Sequence, residues 1–183
     1  MNRHTIKRSA LFLLFFSAIN VPAFAQMTAF KTGPLIEVFG KNAEVTTHTV
    51  AKDAKFKVAF DVASGADAGD INRKFDSLAR FLNMHVNAGV NKDNIELALV
   101  VHGKAVFDLL NNENYQKRNS QDNPNKPLLQ ALMNNKVRVI VCGQSAAANG
   151  IDISQFVKGS EVELSAMTAH AQLQQAGYTV NPF

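Results

Sequence analysis

The chain is predicted to be an α/β protein, a parallel sheet with helices on both faces. Three observations predict it. Strand-like and helix-like segments alternate from residue 55 to the C-terminus, the order that builds parallel sheets. Ile95 to Val101 (IELALVV) is almost uninterruptedly apolar, as in a strand covered on both faces. The length of 183 residues and 46% apolar composition suit one domain with a sizeable core.

The first 25 residues read as an address. Arg3, Lys7 and Arg8 precede the apolar run Ala10 to Ile19, and Ala23-Phe24-Ala25 presents small residues at the positions a signal peptidase reads. Cleavage is expected before Gln26. The run is too short to span a hydrocarbon core of about 30 Å, so no membrane association is expected after cleavage. The expected destination is export, and the periplasm if the source is Gram-negative. Without residues 1–25, the 19 Lys+Arg fall to 16 against 15 Asp+Glu. That near-balance, with dispersed basic residues, argues against nucleic acid as a partner.

Residues 26–52 read as an N-terminal extension, with Gly33-Pro34 and Gly40-Lys41-Asn42 interrupting short apolar patches. It is expected to pack across a domain edge or a subunit neighbour. The α/β domain proper is assigned to 53–183. Phe56 to Ala63 is the first strand. Ile71, Phe75, Leu78, Ala79 and Leu82 then recur at helical steps, with Asp70 as the expected N-cap and Gly89 as the stop. Ile95–Val101 is the second strand and Gly103 to Leu110 a short helix. Asn111 to Pro127, polar and Asn-rich, is expected to be an exposed loop. Pro127 opens a helix over 128–135, Val137 to Val141 is the third strand, and 144–158 a helical or irregular crossover. Val162 to Leu164, a helix over 166–176 and Tyr178 to Val180 complete the order.

In open α/β sheets, chemistry gathers beyond the carboxyl ends of the strands. Those ends are Ser64-Gly65, His102-Gly103, Cys142-Gly143-Gln144-Ser145 and Ser165. Cys142, the only cysteine, is the leading candidate. Amides of a following helix would stabilise its thiolate, and such a sulfur can carry a persulfide or exchange in redox chemistry. This chemistry requires the sulfur to be accessible where the strands finish. The competing reading is that Cys142 packs as a small hydrophobe. His102 is the candidate for proton transfer, against a structural hydrogen-bonding role. Gly103, Gly143, Gln144 and Ser145 are the candidate ligand-binding positions. His48, His85 and His170 show no metal-ligand spacing, and Asp61, Asp67 and Asp70 read as turn or cap residues. No dinucleotide, phosphate-loop, C-x-x-C or G-x-S-x-G motif occurs, so no cofactor or metal is expected.

From Phe56 to Pro182 the chain resembles the DsrE/DsrF-like family of small sulfur-relay proteins. KVAFDVAS, IELALVVHGKAVFDLL, VRVIVCGQSAAANGI and the closing VELSAMTAHAQLQQAGYTVNPF carry the resemblance. It implies a three-layer α/β/α domain with a mostly parallel five-stranded sheet, and assembly as a trimer or hexamer. It also implies a carrier role for Cys142, loaded by a sulfur donor and unloaded by an acceptor protein. His102-Gly103 matches a His-Gly pair frequent in the family. The function so implied is at most that of a sulfur carrier or transferase-like protein. Two rival classes stay open: a non-catalytic ligand-binding or assembly module with a structural cysteine, and a thiol that forms an intersubunit disulfide.

Overall fold

The computed structural model describes residues 29–181; the signal segment and cleavage position expected from the sequence lie outside them. Five strands form one sheet: β1 (Phe56–Val62), β2 (Ile95–Val101), β3 (Arg138–Cys142), β4 (Glu161–Glu163) and β5 (Thr179–Asn181). Their order is β4-β3-β2-β1-β5, and all four pairings are parallel.

The chain steps from β1 through β4 in one direction, then jumps back past β1 to place β5 on the far edge. Right-handed crossovers put connections made in opposite directions on opposite faces. One face is covered by α1 (Arg73–Asn87), a 3₁₀ segment at Gly103–Leu109, α3 (Lys126–Asn134) and α4 (Gly143–Ala148). Their residues Phe75, Leu78, Leu82, Leu109, Leu128, Leu132 and Ala146 pack with Val58, Phe60, Leu97, Leu99, Val139 and Val141. The other face carries α5 (Ala166–Gln175), whose Ala166, Ala169 and Leu173 pack on Ala59, Ala98, Val100, Ile140 and Cys142. Small residues on both sides let this helix lie close to the strands.

The expected loop over 111–127 is instead largely helical. α2 (Asn112–Asn119) occupies its first half, capped by Asn111, whose side chain accepts from the Asn114 amide at 3.0 Å. Asn favours such caps. A Lys117–Glu113 pair at 2.7 Å supports the exposed side, and buried Tyr115 anchors the helix. With one apolar anchor, the helix has almost no periodicity for a sequence reading to detect.

The cap of α1 also differs. Asn72, not Asp70, accepts from the Lys74 amide at 3.0 Å, and Ile71 lies outside the helix, 38% exposed. Asn72 is buried and joined to Asn125 and Asp108 by hydrogen bonds of 2.7 Å each. This tertiary network selects the cap.

Within the extension, residues 29–52 pack along α1. The fully buried Asn83 amide accepts from the amides of Leu35 (3.2 Å) and Ile36 (3.0 Å) and donates to the carbonyls of Ile36, Phe39 and Gly40. Gly40 donates to Asp76 at 2.7 Å. One side chain thereby satisfies five backbone groups of a segment that has no ladder of its own.

Candidate functional site

Adjacent strands β3 and β4 send their chains to opposite faces, into α4 and α5 respectively. Such a reversal leaves a crevice between the two connections at the strands' carboxyl ends. Cys142 is the last residue of β3 and the N-cap of α4, so it stands at this point.

Its sulfur accepts from the Ser145 amide at 3.4 Å, and the neighbouring Ser145 hydroxyl and Gln144 and Ala166 amides also favour its thiolate. Ala166 is the first residue of α5. The beginnings of two helices therefore converge on one sulfur. Burial pushes the Cys142 thiol pKa up and is the largest single influence. The Ser145 hydroxyl, followed by the three amides, outweighs it, and the thiol lies below its ordinary value.

The sulfur is not open, however. Cys142 is only 5% exposed, which corrects the expectation of an accessible thiol. The cover is the junction between β4 and α5. Gln144 donates to the Leu164 carbonyl at 3.2 Å, and Ala166 joins the apolar cluster around Cys142. A side chain at position 143 would come within 2.8 Å of the Glu163 carbonyl, so glycine permits this close approach.

His102-Gly103 is joined to the same place. The Gly103 amide donates to the Ser145 hydroxyl at 3.0 Å, leaving that hydroxyl's proton for the sulfur. Gly103 has φ +54°, and a Cβ there would meet the Ala63 carbonyl at 2.8 Å; both demand glycine. Val100 pairs with Ile140 and Val101 with Val141, so one residue further His102 comes level with Cys142 on the adjoining strand. Of the six singled-out residues, Cys142, Gly103, Gln144 and Ser145 meet around the sulfur. Gly143 admits the cover, and His102 turns toward β1.

There it meets Asp61, which the sequence places within the first strand and which was expected to be a turn or cap residue rather than a catalytic acid. Asp61, in β1, faces α5, and its carboxylate lies 2.7 Å from His170 Nε2 and 3.2 Å from His102 Nε2. Burial pushes the Asp61 pKa up, but hydrogen bonds from His170 and His102 outweigh it and hold it below the usual carboxylate value. His170 Nδ1 is buried without a partner. The available signal was strand parity: Asp61 shares a face with Ala59, beyond the exposed Lys57, in a strand whose other residues are apolar. No group of three or more His, Cys, Asp or Glu able to hold a metal occurs among the described residues.

A cleft of about 590 Å³ is lined by residues including Gly65, Lys104, Phe107, Asp108, Arg118 and Asn149. Its lining includes neither Cys142 nor His102. The Arg118 guanidinium lies 3.7 Å from the Phe107 ring centroid. Burial raises the Asp108 pKa against hydrogen bonds from Asn72 and the Ala66 amide.

The fold recurs in solved structures. The protein of unknown function MTH1491 from Methanobacterium thermoautotrophicum is similar with a TM-score of 0.54 and 16% identity, covering 70% of this chain and 100% of its own. The ychN protein from E. coli is similar with a TM-score of 0.50 and 24% identity, covering 70% and 99%. No curated protein matches the chain. The DsrE/DsrF-like family profile matches residues 57–182, a span that contains the five strands except the first residue of β1, Phe56, and the whole sulfur site. On that match, the chain belongs to the DsrE/DsrF-like family.

Proposed function

We propose that this protein is an exported sulfur handler that carries sulfane sulfur as a transient persulfide on Cys142. One observation carries the reading: amides from α4 and α5, together with the Ser145 hydroxyl, surround a sulfur whose ionisation they favour. The same donors suit the anionic outer sulfur of a persulfide. His102 serves proton transfer, and Gly103, Gly143, Gln144 and Ser145 form the pocket for the incoming group. Loading requires displacement of the Leu164–Ala166 cover. Such a shield suits a lone thiol in an oxidising compartment, where an open one would be lost to mixed disulfides. A donor and an acceptor protein are the proposed partners.

The 5% exposure of Cys142 within an apolar cluster favours a second reading, a structural cysteine in a non-catalytic binding or assembly module. One experiment separates the two. Exported protein, with a mature mass beginning at Gln26, is exposed to inorganic polysulfide under native conditions and its intact mass measured. The sulfur-carrier reading expects a gain of sulfur that Cys142→Ser abolishes and dithiothreitol reverses. No gain in the wild type, or an equal gain in Cys142→Ser, selects the structural reading.

A further inference from the structure

Asp61 sits between two imidazoles, and its chemistry dictates their protons. An ionised carboxylate only accepts hydrogen bonds. Asp61 is held ionised, so both imidazole Nε2 atoms, at 2.7 and 3.2 Å, carry protons toward it. In each neutral ring this leaves Nδ1 as the acceptor. The two rings then differ. His170 Nδ1 is buried with no partner, and a proton there would be a buried unsatisfied donor. The His102 side chain is 31% exposed and stands at the rim beside the Cys142 strand, so its Nδ1 can take up and release a proton.

Resting on the sulfur-carrier reading, we propose that Asp61 and His170 are positioning residues: they hold His102 as the Nε2–H tautomer and leave Nδ1 as the proton shuttle for Cys142. The Cys142 thiol gives its proton to Nδ1, and the thiolate attacks the outer sulfur of a donor persulfide, R–S–SH. The donor's S–S bond breaks with its electron pair going to R–S⁻, and a new S–S bond forms at Cys142. The imidazolium returns the proton to R–S⁻, giving R–SH. Cys–SH and R–S–SH become Cys–S–SH and R–SH, and no oxidant or reductant is consumed. His170 acts one step further out. Its bond ties Asp61 to α5, fixing the carboxylate against the helix that also covers Cys142.

The amide of Asp61→Asn replaces one accepting oxygen by a donating nitrogen, and a ring that faces this nitrogen is favoured as the acceptor. His170, with nowhere to put a proton on Nδ1, keeps the oxygen. The nitrogen takes the place of the oxygen 3.2 Å from His102 Nε2 and favours the Nδ1–H form of that ring. Nitrogen-15 imidazole spectra of the wild type are therefore expected to show both rings as Nε2–H, and those of Asp61→Asn to show His102 as Nδ1–H. Alkylation of Cys142 by iodoacetamide near neutral pH is expected to slow at least tenfold in Asp61→Asn and in His102→Gln. His170→Gln, which keeps an N–H donor, should retain more of the rate than His170→Leu. Cys142, Asp61, His170 and Glu163, the last paired with Cys142 on β4, are ionisable groups of the same neighbourhood; the tautomer spectra therefore accompany the pH–rate profile. An Nδ1–H His102 in the wild type overturns the proposal, and this measurement needs no variant to fold. An unchanged tautomer and alkylation profile in Asp61→Asn overturns it equally. The spectra use no sulfur compound: a wild type with Nε2–H His102 and no polysulfide uptake would sink the carrier reading alone.

Discussion

At the scale of single residues, the chemistry of Cys142 turns on Ser145. Its hydroxyl accepts from the Gly103 amide at 3.0 Å, and its remaining proton is free to point at the sulfur. The sign of the effect is definite. The folded-state thiol pKa lies below the ordinary value, so thiolate appears at lower pH than in the unfolded chain. The associated stabilisation is present above the unfolded pKa and is lost as pH falls through the folded one. In Ser145→Ala the Ser145 amide remains but the hydroxyl is gone. The reactive thiolate fraction at pH 7 is expected to fall roughly tenfold, equivalent to about 1.4 kcal/mol. The pH dependence of Cys142 alkylation measures it: the midpoint should move up, and an unmoved midpoint would show that the amides alone set the ionisation. Asp61 teaches a different lesson at this scale. An acid in an apolar strand was visible in FKVAFDVA, but its two imidazole partners come from residues 41 and 109 positions further along the chain. No local pattern links them.

Among elements, the contrast is between α1 and what lies on it. The α1 stripe of Phe75, Leu78, Ala79 and Leu82 was legible because burial on one face imposes a helical period. The seating of residues 29–52 was not, because it depends on one polar side chain in that stripe. Asn83 serves five backbone groups, so truncating it strands several donors and acceptors at once, each costing about 1–3 kcal/mol when left buried. Water can reach some of them after local detachment. Asn83→Ala is accordingly expected to lose about 3 kcal/mol if the extension stays docked. Urea denaturation gives the stability, and limited proteolysis between residues 30 and 50 reports detachment. Proteolytic sensitivity equal to the wild type's, with no change in urea midpoint, would refute this account. The helix α2 makes the same point from the other direction: Asn111 caps it and Tyr115 anchors it, but two positions do not make a period.

Over the whole molecule, the α5 face differs from the opposite one. Among the described residues, four helical segments cover one side, whereas α5 alone covers the other. The edge beyond it exposes apolar residues, with Leu164 70% and Met167 81% exposed beside the cover over Cys142. No helix among the described residues is long and apolar enough to cross a membrane. We propose that this edge contributes to a homo-oligomer, a trimer or hexamer, as Val162, Leu164 and Met167 expose neighbouring apolar surface of the kind that, when contiguous, marks association surfaces. Light scattering at micromolar concentration is expected to give a multiple of the monomer mass. Met167→Lys with Leu164→Glu should shift it toward monomer at least tenfold in dissociation constant, about 1.4 kcal/mol. A monomeric wild type would dispose of the idea.

The alternation of apolar strands and amphipathic helices already carried the parallel sheet, because each strand and helix must bury a periodic face wherever it lies. The rim position of Cys142 followed from that architecture with a turn of glycine and serine after it. The covering of the sulfur, the convergence of two helix beginnings upon it and the His102–Asp61–His170 grouping came only with the folded chain. Strand order sends the crossover after β4 to the opposite face from the others. That reversal brings α5 over Cys142 and carries His170 to Asp61, a juxtaposition across the sheet that sequence periodicity, being local, does not encode in readable form.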